Sequence, residues 1–144
     1  MALSVVAGVV LADQLTKWWA VTRLSEGSIH VIGTLDLELA RNTGASFSLF
    51  QGKAFVLVPV AVVLVAVLLV LSWRARSTGR AAILGLILGG ALGNLADRAF
   101  RDDHGAVVDF VALHFWPTFN VADASIVVGC ALLVVSLVRA PRLP

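Results

Sequence analysis

The sequence predicts an all-α membrane protein, with four transmembrane helices and a small β-containing segment on the extracytoplasmic side. Three observations predict it. The 144-residue chain is 59% hydrophobic and only 14% charged, with a mean hydropathy of +0.94. A water-soluble domain needs more charge than this on its surface. Four apolar runs approach the length of about 20 residues that a helix needs to cross a bilayer core. Arginines without acids mark two of the stretches that flank those runs.

The runs extend over residues 2–20, 54–73, 81–96 and 122–138, within a single membrane domain covering 1–144. The second run is uncharged, and its Pro59 is tolerable in a membrane helix. Gly85, Gly89 and Gly93 recur every four residues on the third run and make a smooth stripe for close helix packing. Arg74, Arg76 and Arg80 lie between the second and third runs, and Arg139 and Arg142 follow the fourth. The positive-inside rule makes both regions cytoplasmic. Both termini are then cytoplasmic, and the connections 21–53 and 98–119 lie on the outer side of the membrane. The first run carries Asp13 and Lys17 and lacks a basic start, so it reads as a retained helix and not a cleaved leader. Cys130 is the single cysteine and sits in an apolar run, which excludes an internal disulfide. No Lys/Arg tract points to nucleic acid.

The outer connections carry strand signals. Leu35-Asp36-Leu37-Glu38-Leu39 alternates apolar and acidic residues, and Ile29, Val31 and Ile32 precede a turn at Gly33-Thr34. Arg41-Asn42-Thr43-Gly44 reads as a turn before the stretch Ala45 to Phe50. Val107 to Val111 is again strand-like. A small outer sheet follows, serving either as a cap or as a cradle for an extended peptide.

The polar residues inside the apolar runs carry the chemistry. Asp13 and Lys17 are four apart on one helical face and can pair, either as a structural lock or against a substrate. Asp97 lies about 17 residues beyond Arg80, and Asp123 about 16 before Arg139, or about 25 and 24 Å along a helix. The two runs are antiparallel, so both acids reach a similar level near the outer interface. Two poorly solvated carboxyls do not both ionise cheaply, so one keeps a proton and the pair offers an acid and a base. Asn94 and Asn120 each stand three residues before an acid and can orient it, and Asn120 can instead cap a helix. His30, His104 and His114 all fall in outer segments, so no serine–histidine arrangement competes. Asp102, Asp103 and His104 lack a second cluster to complete a metal site, and neither metal nor cofactor is expected.

These blocks resemble a known family. DQLTK at 13–17, RNTGASF at 41–47, GNLADR at 93–98, VVDF at 107–110 and FNVADASI at 119–126 are similar, in order, to lipoprotein signal peptidases (signal peptidase II). The resemblance implies a four-helix membrane aspartic protease. Its substrates would be diacylglyceryl-modified prolipoproteins, cut just before the lipidated cysteine. It implies that Asp97 and Asp123 are the catalytic dyad. It also implies that Asn42, Asn94, Arg98, Asp109 and Asn120, with Asp13 and Lys17, support them. The expected partners are these substrates and membrane lipid, with the protein acting as a monomer. Intramembrane Asp and Lys would also suit a small proton-coupled carrier, although four spans without an internal repeat argue against one.

Overall fold

A computed structural model of the chain describes residues 1–43, 54–75, 77–101 and 105–139. Among these, four helices and a three-stranded sheet are present: α1 (Ala2–Arg23), β1 (Ile29–Ile32), β2 (Leu35–Asn42), α2 (Ala54–Trp73), α3 (Thr78–Phe100), β3 (Val107–Ala112) and α4 (Val121–Val138). The helices α3 and α4 are long and apolar enough to cross a membrane, and Val58–Trp73 forms a shorter apolar helix.

The helix ends differ from expectation for local reasons. The helix α3 begins three residues before the expected 81, because Ser77 caps it by accepting from the Arg80 N–H at 3.3 Å. It ends four residues beyond 96, so Asp97 and Arg101 lie one turn apart. The helix α1 continues past 20 to Arg23. The start of α4 is set by a capping box: the Asp123 N–H donates to Asn120 Oδ1 at 2.9 Å, and the Asn120 N–H donates to Asp123 Oδ2 at 3.3 Å.

The sheet has order β1-β2-β3, with both pairs antiparallel. Gly33 makes the tight connection between the first two strands at φ 59°, a conformation in which a side chain is strained. Arg41 and Asn42 do not form the expected turn. They extend β2 and pair with Val108 and Val107. The chain after β3 folds back, so that Phe119 exchanges backbone hydrogen bonds with Val111 at 2.9 and 3.0 Å. That return delivers Asn120 to the head of α4. The stretch 45–50, the acidic–histidine group at 102–104, and Arg76 and Arg142 lie outside the described residues.

The helix α3 is the hub and packs against α1, α2 and α4. Its glycine stripe makes this possible, as the sequence spacing predicts. A Cβ at Gly93 would stand 2.6 Å from Asp13 Oδ2, and one at Gly90 would collide with the Ala122 carbonyl of α4. Apolar side chains fill the seams: Val65 and Leu68 of α2 meet Leu84, Ile87 and Leu88 of α3, while Phe110 meets Ala20 and Leu24. Gly90→Ala is expected to destabilise the protein by about 1–3 kcal/mol, the usual range for overpacking. Gly8 has open space beside it, and Gly8→Ala in mid-helix should leave stability unchanged or slightly higher. Thermal unfolding of both variants in one detergent checks the contrast.

Candidate active site

A cavity of about 300 Å³ lies where the sheet meets the helices. Its walls are apolar on the helix side, with Ala61 and Leu64 from α2 and Ile126 and Val127 from α4. Trp116, Pro117, Thr118 and Phe119 from the returning segment close another side. The polar surface comes from Asn42, Asn94, Arg98, Asp109 and Asp123. Among the described residues that line it, the carboxyls are therefore Asp109 and Asp123.

Asn120 links these two acids. Its Nδ2 donates to Asp109 Oδ1 at 2.6 Å, while its Oδ1 and backbone N–H make the capping box with Asp123. Asn42 Nδ2 donates to Asp109 Oδ2 at 3.1 Å, and Asn94 Nδ2 donates to Asp123 Oδ1 at 2.8 Å. Each carboxyl is thus gripped by side-chain amides. Burial, and then the charge of Asp123, push Asp109 up to about 6, against hydrogen bonds from Asn42 and Asn120 that pull it down. Asp109 is thereby suited to hold a proton up to about pH 6. Arg98 lines the same cavity, and its Nη1 donates to the Asn94 carbonyl at 3.4 Å.

Asp97 stands elsewhere. It is fully buried, with Oδ2 2.9 Å from Lys17 Nζ and Oδ1 2.7 Å from Arg101 Nε. Its Oδ1 also accepts from Gln14 Nε2 at 3.1 Å, and its Oδ2 accepts from the Val108 N–H at 3.1 Å. Lys17 pairs with Asp13 at 2.9 Å, as their spacing predicts, and both are fully buried. Asp97 and Asp123 do not meet directly among the described contacts. They are joined through Lys17, which reaches Asn94 Oδ1 at 3.0 Å, and through Asn94 to Asp123. The equal depth read from the two helices places both acids near one end of the bundle, but lateral neighbours then separate their environments.

Sequence reasoning passes over Gln14 and Arg101. Arg101 lies four residues after Asp97, the same spacing that reveals the Asp13–Lys17 pair. Gln14 gives no periodic signal. Its amide reaches the Gly93 carbonyl as well as Asp97, and its Oε1 accepts from Arg101 at 3.3 Å. His114, with its backbone at φ 56°, places Nε2 2.8 Å from Asp36 Oδ2, while His30 Nδ1 lies 2.6 Å from Asp36 Oδ1. Hydrogen bonds to His114 and His30 hold the Asp36 carboxyl below its usual range. This exposed cluster ties the start of the returning segment to the sheet.

Two amide-held carboxyls facing one cavity, beside long apolar helices, define an aspartic-type membrane hydrolase. The chain belongs to the signal peptidase II family, since residues 5–139 match the family model described as signal peptidase (SPase) II. A lipoprotein signal peptidase of Rhodococcus jostii (strain RHA1) is 49% identical over 141 residues, covering 94% of this chain and 71% of that protein. One from Mycobacterium leprae (strain Br4923) is 46% identical over 140 residues, covering 94% and 70%. Two solved structures of bacterial membrane enzymes, determined by the in meso method, share the fold. One has a TM-score of 0.86 at 25% identity, covering 99% of this chain and 94% of that chain. The other has a TM-score of 0.83 at 28% identity, covering 97% and 94%.

Proposed function

We propose that this protein removes signal peptides from diacylglyceryl-modified prolipoproteins, cutting before the lipidated cysteine, with Asp109 and Asp123 as the working pair. The observation that carries the assignment of the pair is that these two carboxyls share the cavity, while Asp97 is neutralised beside it by Lys17 and Arg101. This replaces the Asp97–Asp123 dyad expected from the sequence. The ionised carboxyl takes a proton from a water as that water's oxygen bonds to the scissile carbonyl carbon. The protonated carboxyl gives its proton to the carbonyl oxygen. As the tetrahedral intermediate collapses and the C–N bond breaks, the carboxyl that took the water's proton gives it to the leaving amine, and the other carboxyl recovers a proton from a hydroxyl of the intermediate. Asn42, Asn94 and Asn120 hold the acids, and Arg98 supports the cavity wall. No metal or cofactor has a part in these steps.

The apolar half of the cavity favours a substrate anchored by acyl chains. Ile126 and Val127 of α4 stand beside the carboxyl end, on a helix whose Val127 and Val128 face outward. Trp18, Phe100 and Phe115 are exposed, as an interfacial belt requires. In purified form, the protein should cleave a lipidated prolipoprotein and cut the unlipidated precursor far more slowly. Equal turnover of the two would remove lipid recognition from the mechanism. The carrier reading has no support, since the family consists of peptidases and the Asp13–Lys17–Asp97 charges close on one another.

The topology follows the arginines. All four helices span the inner membrane of a monomeric, single-domain protein, with both termini inside and the cavity at the outer face. A tag after Arg76 or at the carboxyl terminus should be shielded from outside reagents, and one near Gly27 should be reached. The reverse labelling pattern would overturn this orientation.

A further inference from the structure

Three ionisable side chains lie fully buried behind the cavity and take no part in the proton transfers described. Lys17 Nζ contacts Asp13 Oδ2 and Asp97 Oδ2, each at 2.9 Å, and Asn94 Oδ1 at 3.0 Å. Its three N–H bonds are thereby accounted for. The two carboxylates that it neutralises each hold a backbone amide from another element. Asp13 Oδ1 accepts the Ala122 N–H at 2.9 Å. Asp97 Oδ2 accepts the Val108 N–H at 3.1 Å. Ala122 immediately precedes Asp123, and Val108 immediately precedes Asp109.

We infer that Asp13, Lys17 and Asp97 are positioning residues that act as a caliper, with Lys17 setting the distance between two carboxylates that each hold the peptide unit beside one cavity acid. The inference rests on Asp109 and Asp123 being the working pair. Each grip is a charge-assisted hydrogen bond to a peptide N–H, stronger and shorter in reach than a neutral one. Two buried carboxylates this close are tolerable only with a buried cation between them. Apolar side chains of similar volume would pack as stably, so stability alone gives the triad no special value. Its distinctive property is geometric, because one ammonium group spaces two amides that come from different elements, β3 and α4. Asn94 extends the caliper to the carboxyl itself, accepting from Lys17 and donating to Asp123.

The test uses the full-length protein in detergent with a lipidated substrate. Lys17→Met combined with Asp97→Asn removes one positive and one negative charge and leaves an amide oxygen to accept from Val108. The folded double variant should lose about 100-fold in kcat, the scale of a 1 Å misplacement of reacting groups. Its KM should be unchanged, and the limbs of its pH–rate profile should move, because the coupling between the two acids depends on their separation. An unchanged kcat and pH profile in that variant, or a loss confined to KM, would overturn the inference. If the double variant does not fold, amide-to-ester replacement at Val108 or Ala122 leaves every charge in place and removes one hydrogen bond. Each should lower kcat about tenfold with KM unchanged, as expected for a lost hydrogen bond to a charged group. Esters with full kcat would again overturn it. Asp109→Asn is measured beside them. If it is active, the choice of the pair is at fault; if it is inactive while the caliper variants keep full kcat and an unmoved pH profile, the caliper alone is at fault.

Discussion

Asp109→Asn and Asp123→Asn are each expected to abolish cleavage, with losses of about 10³-fold or more, while the protein stays folded. Asn keeps the size and hydrogen-bonding reach of Asp but cannot exchange a proton. In either variant the single amide oxygen keeps one of the two hydrogen bonds that grip the carboxyl, and the other donor loses its acceptor. The double substitution should be little worse than either single one, since the pair works as a unit. Stability gives an independent check. A carboxyl whose value is raised to about 6 by burial favours the fold in its neutral form, and that contribution is lost as pH rises through about 6. Above that pH, Asp109→Asn removes a buried charge and should unfold no earlier than the parent. The alkaline limb of kcat/KM, which reports the free protein, should fall near pH 6. In Asp123→Asn, the neighbouring charge is gone and the Asp109 carboxyl, followed by carbon-13 NMR, should titrate lower. Substantial cleavage by Asp109→Asn, or an Asp109 titration indifferent to residue 123, would sink the pair.

Asp97→Asn should behave in the opposite way and lower stability by about 3–5 kcal/mol, the cost of removing one partner from a buried ion pair. Lys17 is fully buried and would keep Asp13 as its single counter-charge. Arg101 would lose its contact at 2.7 Å, although its partial exposure lets water take up some of that loss. Activity should fall in parallel with the folded fraction and with displacement of Val108, whose N–H rests on Asp97. Thermal unfolding and cleavage measured on the same preparation separate the possibilities. A variant that unfolds at the parent temperature and yet cleaves nothing would return Asp97 to the chemistry.

Both results turn on a distinction between position along a helix and neighbourhood. Position along the helices was legible in the chain, because helical rise is constant. Neighbourhood was not, because the groups that decide it come from distant segments. Lys17 is brought to Asp97 by packing of α1 on α3, and Asp109 is brought to Asp123 by the antiparallel pairing of β3 and the return at Phe119. The block VVDF was visible, but on the sequence Asp109 was one of several supporting polar residues.

By itself, the sequence determined the apolar runs, the glycine stripe on which α3 packs, the Asp13–Lys17 pair and most of the strand positions. These depend on residues within one or two turns of each other, or on alternation along one strand, so their physics is local. It also carried the family signature, through blocks spread over most of the chain. The tertiary structure decided which carboxyls share a cavity. Asp97 and Asp109 are the same residue type, one in GNLADR and the other in VVDF. One is enclosed by two cations from α1 and α3 and stays neutralised. The other is held by amides and lines one cavity with a second carboxyl, and the cost of burying its charge raises it to about 6.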